Sequence, residues 1–306
     1  MRFGIVGFGR MGANLARHAM EKGHQVVGYD RSPDAPRALA PEGLEPAATL
    51  EELVSKLSPP RIVFIYVPHG DPTEAVCQAL QPLLQAGDIV ADGGNSHWAD
   101  SRRRHGFFAE GGIRFLDVGT SGGVSGARSG ACFMAGGERT AHDVVAPILR
   151  DLAVDEEGTF FVGGPGSGHF VKLVHNAIEF GMVQAIAEGV EMLQRSGYDL
   201  QLVGLFNNWM HGSVIRSWLV ELMGKALGEY ADFGELSTYV EDTGEVKWVL
   251  EWALERDIPA PVVGASQTAL IQYRDVDSRQ AKAVALLRNQ YGGHPIHLAG
   301  EQEPHA

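Results

Sequence analysis

Two rhythms of apolar residues run along this chain, and they change over near Val162. Before that point, short apolar runs alternate with amphipathic stretches; after it, only helical spacing persists. Phe3, Ile5 and Val6 predict a first strand, and Leu15, Ala16 and Ala19 mark one face of the helix that follows. Gln25 to Tyr29 predicts a second strand. Further strands are predicted at 61–67 (RIVFIYV), 88–91 and 115–118, with helices near 73–84 and over 97–111. Segments 132–135 and 160–162 are expected to complete the sheet. Helices are expected at 168–196, 200–209, 213–228, 243–257, 262–274 and 278–291, with no internal repeat and no low-complexity segment.

The first strand runs into Gly7-Phe8-Gly9-Arg10-Met11-Gly12, and Asp30 ends the second strand eighteen positions beyond the last of these glycines. A GxGxxG string alone carries little weight in a chain with 39 glycines. Between a strand and a helix, with an acidic residue at the next strand end, it reads as a dinucleotide-binding fingerprint. The first glycine makes the tight turn, the second admits a pyrophosphate, and the third lets the helix pack closely, with its first N–H groups on the anion. Asp30 is placed to accept from ribose hydroxyls and to repel a 2′-phosphate, which favours NAD. Arg31 can stack on adenine or bind that phosphate, so NADP stays open. The expected fold class is an α/β Rossmann-type N-terminal domain followed by an all-α C-terminal domain. The glycine run at 163–168 divides them into residues 1–163 and 164–306.

The stretch after that division, GGPGSGHFVKLVHNAIEF, carries the candidate chemistry. Val171, Val174, Ile178, Met182 and Ala185 form an apolar series at helical spacing, and Lys172, His175, Asn176 and Glu179 fall at i, i+3, i+4 and i+7 on an opposing face. At 1.5 Å rise per residue, Lys172 and Glu179 are about 10 Å apart, a span one small extended substrate can bridge. The plain alternative is a solvated helix face. Against it, the helix begins at a hinge beyond a nucleotide-binding domain, and its polar side turns apolar downstream at Val183, Ile186 and Val190. DGGNS and GTSGG stand at strand ends, where ligands of open parallel sheets collect, although either can be turn chemistry alone.

Charge and composition narrow the class further. With 25 basic against 38 acidic residues the net charge is −13, and no basic tract appears, which argues against nucleic acid as a partner. No apolar run approaches the roughly 18 residues of a membrane span. The start, MRFGIVGFG, enters a strand at once rather than a signal peptide. Two cysteines, Cys77 and Cys132, offer neither a disulfide framework nor a CxxC site, and the twelve histidines show no metal-ligand spacing. A cytoplasmic protein binding no metal is expected.

Taken together, GFGRMG, VPHG, DGGNS, DVGTSGGVSGARSGACFMAGG, GSGHFVKLVHNAIE and RNQYGGH span nearly the whole chain. The chain thereby resembles the β-hydroxyacid dehydrogenases, and among them the short form of decarboxylating 6-phosphogluconate dehydrogenase. The GSGHFVK-LVHN-IE block is the specific part of the match. The resemblance implies Lys172 as general base and Glu179 as general acid, with Asn176 beside them in the catalytic group. It adds Val67, Pro68 and Asn95 to the cofactor contacts of the glycine loop. It implies substrate contacts at Asn95, Ser121, Gly122, Gly123, His175, Asn176 and Lys247, completed by Arg288 and His294 from a second subunit. A homodimer or higher homo-oligomer acting on a small sugar acid follows.

This residue set suits oxidation of a hydroxyl β to a carboxylate. A lysine serves as base only when neutral, so burial or nearby positive charge must lower its pKa from about 10.4. The β-keto acid formed can lose CO2 without a metal if protonated Lys172 hydrogen-bonds the ketone oxygen, and Glu179 then protonates carbon. An imine reductase shares the architecture but usually lacks this lysine, and a dinucleotide-sensing protein would need neither Lys172 nor Glu179. Another β-hydroxyacid dehydrogenase is a further alternative. Members acting on 6-phosphogluconate usually have Tyr after the catalytic Glu, Thr after the Lys-Trp pair, and Arg in the helix after Pro261. Here Phe180, Val249 and, in an ungapped register, Leu270 occupy those places, with Arg274 one turn beyond Leu270. A C6 group other than phosphate is therefore open.

Overall fold

The computed structural model describes residues 1–230, 233, 236–274 and 277–292. Its first half alternates strand and helix: β1 (Arg2–Val6), α1 (Arg10–Glu21), β2 (Gln25–Tyr29), α2 (Asp34–Ala38), β3 (Glu45–Pro46), α3 (Leu50–Ser55), β4 (Ile62–Ile65), α4 (Asp71–Leu80), β5 (Ile89–Asp92), α5 (Trp98–Ala109), β6 (Arg114–Ser121), α6 (Gly123–Ser129), β7 (Cys132–Gly137), α7 (Arg139–Leu152) and β8 (Thr159–Gly163). Helices alone follow among the described residues: α8 (Ser167–Gln194), α9 (Leu202–Met210), α10 (Trp218–Glu229), α11 (Glu245–Leu254), α12 (Pro261–Gln272) and α13 (Arg279–Gly292).

The strands form one sheet in the order β3-β2-β1-β4-β5-β6-β7-β8. From β3 to β6 every pairing is parallel, as crossover helices require. β4 (Ile-Val-Phe-Ile) is buried at every residue because helices cover both faces of the sheet. One apolar layer joins Phe3, Ile5, Phe64 and Leu116 to Leu15, Ala16 and Ala19 of α1 and to Val145, Ile148 and Leu149 of α7. The opposite layer joins Val6, Val27, Val63, Ile65 and Val90 to α3, α4 and α5 through Leu53, Cys77 and Phe108. Each such side chain contributes about 1.5–3 kcal/mol when fully buried. The chain order reverses between β1 and β4, which opens a crevice beyond the carboxyl ends of those strands.

Three features depart from the periodicity. β7 pairs antiparallel to β6, because ten residues containing only the short helix α6 cannot carry a parallel crossover. The helix expected from residue 213 starts at Trp218, where the Ser217 hydroxyl accepts from the Val220 N–H at 3.3 Å. On α8 burial does not follow the apolar series. Lys172 and Asn176 are buried at 5% and 6% exposure with Leu173 and Ala177, while Val171, Ile178 and Met182 of the apolar series are exposed.

Two compact units emerge from the packing: residues Met1–Glu179 with Glu245–Pro259, and Phe180–Gly244 with Ala260–Ala306. Element type changes at Gly163, whereas packing divides within α8, so the two divisions describe different properties. The first unit claims α11 through an aromatic seam. Trp252 meets Phe170 at 4.8 Å between centroids, Trp98 meets Phe170 at 5.3 Å, and Trp248 meets His97 at 5.1 Å. The second unit has its own core, with Val190, Phe206, Val220 and Leu227 closed over by Ile186, Leu202, Trp209 and Met223.

The start of α8 is seated directly on the sheet. Asp117 of β6, buried at 1% exposure, accepts from the Gly166 N–H at 2.8 Å and the His169 N–H at 2.9 Å. It thereby caps a helix from another element, each charge-assisted bond contributing about 1.5–3 kcal/mol. A Cβ on Gly168 would lie 2.1 Å from the Asp117 carbonyl oxygen and 2.7 Å from both the Met134 oxygen and the Gly136 nitrogen. All three are backbone atoms that cannot step aside. Gly168→Ala is therefore expected to destabilise by about 3 kcal/mol or more, lowering Tm by several degrees in a thermal melt; an unchanged melt would remove this seat.

Candidate active site

Loops at the carboxyl ends of β1, β2, β4, β5 and β6 surround the crevice, and the start of α8 joins them. The glycine loop follows β1. Its Gly7 N–H donates to the Tyr29 carbonyl at 2.9 Å, and the Phe8 N–H donates to Asp30 Oδ2 at 2.6 Å, so the loop is tied to the end of β2. The other Asp30 oxygen accepts from the Ser32 N–H at 2.7 Å. Each carboxylate oxygen keeps a lone pair for a further donor such as a ribose hydroxyl. Arg31 beside it is exposed. A Cβ on Gly12 would stand 2.0 Å from the Gly7 oxygen, so only glycine lets α1 approach its own loop. Gly9 faces open space, and no side chain caps α1, whose first turn also carries Arg10 and Met11. Free N–H groups beside an open glycine fit a dinucleotide pyrophosphate. Val67 is half-buried and Pro68 exposed at the neighbouring loop, where Pro68 accepts from the Thr73 hydroxyl at 2.8 Å.

After β5, the DGGNS loop is anchored by charge. Asp92 and Arg104 are both buried, with Arg104 Nη1 3.3 Å from Asp92 Oδ2 and its Nε 3.2 Å from Glu74 Oε2. Glu74 in turn binds Arg103 at 2.7 Å, and the arginine pushes its carboxyl down to about 2. Asp92 also accepts from the Gly94 N–H at 3.0 Å and the Ser96 hydroxyl at 2.8 Å. The loop between them holds Asn95 in the left-handed region at φ 52°, where its Oδ1 accepts from the Thr120 N–H at 3.4 Å. Ser121, Gly122 and Gly123 lead from β6 into α6.

On α8 the polar residues form a connected group. Lys172 Nζ donates to Asn176 Oδ1 at 2.6 Å and lies 3.3 Å from His175 Nδ1. His175 Nε2 is 3.2 Å from the Ser121 hydroxyl, and its Nδ1 is 3.8 Å from Glu179 Oε2. Gly119 of β6 makes room for the lysine, since a Cβ there would meet Lys172 Cβ at 2.4 Å. The first glycine of GTSGG is thus a packing requirement rather than turn chemistry. Burial pulls the Lys172 pKa below its ordinary 10.5, while Glu179, Glu245 and Cys132 pull the other way. Desolvation leads, so the buried amine is shifted toward the neutral form that a base needs.

Glu245 enters the group from α11, accepting from Asn176 Nδ2 at 2.7 Å. The sequence pattern did not single it out, nor Asp117, nor the Asp92–Arg104 pair. A charged residue inside the apolar run FLDVG was the available signal for Asp117. For Glu245 the spacing gave none, because α11 lies far along the chain. Lys247 lies two residues beyond Glu245, in the first unit. Arg288 is exposed on α13 in the second unit, and His294 lies outside the described residues.

The family matches of the sheet-bearing half and of the helices that follow it place the chain among nicotinamide-dinucleotide-dependent oxidoreductases of the decarboxylating dehydrogenase class. Residues 2–164 match the NAD binding domain of 6-phosphogluconate dehydrogenase, and residues 168–301 match its C-terminal domain. The chain belongs to the 6-phosphogluconate dehydrogenase family. It is 44% identical over 296 residues to Bacillus subtilis YqeC, whose 6-phosphogluconate dehydrogenase name is itself provisional, covering 96% of this chain and 98% of that one. It is 37% identical over 298 residues to the NAD(+)-dependent, decarboxylating 6-phosphogluconate dehydrogenase of Haloferax volcanii, covering 97% and 98%. Among solved structures, Plasmodium falciparum 6-phosphogluconate dehydrogenase superposes with a TM-score of 0.84 at 28% identity, covering 99% of this chain and 67% of that one. No described helix is long and apolar enough to cross a membrane.

Proposed function

We propose that this protein oxidatively decarboxylates a six-carbon aldonate, with NAD as the preferred acceptor and Lys172 as the base. The observation that carries the reading is a buried lysine amine, lowered in pKa by desolvation, hydrogen-bonded to Asn176 and beside His175, which in turn lies 3.8 Å from Glu179 on the same helix. Neutral Lys172 takes the hydroxyl proton. The bound dinucleotide supplies a hydride acceptor. The lysine, now an ammonium, donates to the new ketone oxygen as the carboxylate carbon departs as CO2, its bonding electrons passing into the enediol. Glu179 delivers a proton to carbon while neutral Lys172 takes the proton from the enediol oxygen, so that the ketose forms; both side chains then return to their starting protonation states by exchange with solvent. Asn95, Ser121, Gly122, Gly123, His175, Asn176 and Lys247 hold the substrate in this reading, and Val67, Pro68, Asn95 and the glycine loop hold the dinucleotide.

At the C6 end, an unphosphorylated or otherwise modified group is favoured over phosphate. Phe180, Val249 and Leu270 stand where the resemblance places polar contacts, and both Val249 and Leu270 are buried. Arg274 is already paired with Asp242 at 3.2 Å. The cluster around Lys172 also holds two carboxylates, Glu179 and Glu245, against one lysine. NAD is favoured because Asp30 would face a 2′-phosphate. A second copy of the chain completes the site through Arg288 and His294. Support for that dimer comes from an apolar groove of about 380 Å³ in the second unit, lined by Met182, Ile186, Phe206, Trp209, Ile215 and Val220.

Lys172→Ala is expected to lower kcat by at least about 10²-fold with the KM for NAD nearly unchanged. In the wild type, kcat/KM should rise with pH along a limb whose midpoint lies below the ordinary 10.5 of lysine, since activity appears as the amine loses its proton. Near wild-type turnover in Lys172→Ala would sink the assignment. Side-by-side kcat/KM for 6-phosphogluconate, gluconate and C6-modified gluconates, each with NAD and NADP, tests specificity. NAD should lead by roughly 10²-fold, the equivalent of a few kcal/mol of charge repulsion. Preference for 6-phosphogluconate with a micromolar KM would overturn the C6 reading, and parity with NADP the cofactor reading. Sedimentation equilibrium should give a dimer or larger; a monomer that retains full activity would exclude a shared site.

A further inference from the structure

We propose that Glu245 is a positioning residue: from the first turn of α11 it fixes the orientation of the Asn176 amide, and through it the place of the Lys172 amine. The proposal rests on the reading of Lys172 as the base. An ionised carboxylate only accepts hydrogen bonds, so Glu245 Oε2, 2.7 Å away, requires the Asn176 nitrogen. The amide oxygen is thereby turned toward Lys172 Nζ at 2.6 Å. Continuing through His175 to the Ser121 hydroxyl, the chain of contacts links α11, α8 and β6. Without Glu245, either face of the amide could meet the lysine.

The groups facing Lys172 are Glu179 and His175 on α8, Glu245 on α11 and the Cys132 thiol on β7. Burial favours the neutral amine, and the Glu245 charge opposes that shift. Replacing Glu245 by Gln removes the charge. It also permits the amide to turn over, so that an Asn176 N–H points at the amine lone pair. Both changes favour neutral lysine, so activity should appear at lower pH, from a lysine that is a weaker and less well-held base. The competing explanation is that Glu245 only complements the N-terminus of α11, as acidic residues in a first turn do. That role predicts a change in melting temperature and none in the pH profile.

The test compares wild type, Glu245→Gln and Glu245→Asp as full-length enzyme with NAD and whichever of 6-phosphogluconate and gluconate turns over faster. Glu245→Gln is expected to lower kcat about 10-fold and leave the KM for NAD within about twofold. The acid limb of kcat/KM should move down by about half a pH unit or more. Glu245→Asp keeps the charge but shortens the reach, so its limb should stay in place while kcat falls; this variant carries the test if Glu245→Gln does not fold. In a Lys172→Ala background, Glu245→Gln should cost nothing further. An unmoved limb in Glu245→Gln, an equal loss in both backgrounds, or wild-type kcat in Glu245→Asp would overturn the proposal. Turnover retained by Lys172→Ala alone would instead strike the base assignment.

Discussion

The rest of this structure depends on how closely the first turn of α8 sits on the sheet. Asp117 accepts two backbone N–H groups from that turn, and Gly168 lets its backbone reach those of β6 and β7. One turn later, Lys172 rests against Gly119 with its Cβ where another side chain would be. Helix height and rotation are therefore set by backbone contact rather than by compressible side chains. That is why a lysine and an asparagine point inward while valine and isoleucine of the same helix point out.

Burying an amine has an electrostatic consequence. Desolvation penalises the ammonium, and burial thereby pushes the lysine toward neutrality. The Glu179 and Glu245 carboxylates oppose that shift. A base for an alcohol proton needs this balance, because it must be neutral before the reaction and hold a proton during it.

A second buried charge system holds the loops rather than the lysine cluster. Arg104 joins Asp92 and Glu74, and Asp92 shapes the turn that presents Asn95. Breaking such a pair would strand a buried charge at a cost of about 3–5 kcal/mol, so the turn is fixed firmly. The glycine loop is tied in the same manner by Asp30 to the end of β2.

By itself, the sequence determined the dinucleotide-binding half and the identity of the candidate chemistry. Strand-length apolar runs, a glycine fingerprint and an acidic residue at a strand end are local patterns, and the spacing of Lys172, His175, Asn176 and Glu179 put them on one side of a helix. Periodicity reports which residues share a face but not which face is buried, so the exposed side of α8 was legible only in the tertiary structure. The antiparallel turn of β7 depends on a crossover too short for parallel pairing. Asp117 and Glu245 act on residues dozens of positions away, and no local window contains both partners. Long-range contacts of that kind are decided by the packing of β6, α8 and α11 together, because a hydrogen bond needs its two atoms in one place, whatever their separation along the chain.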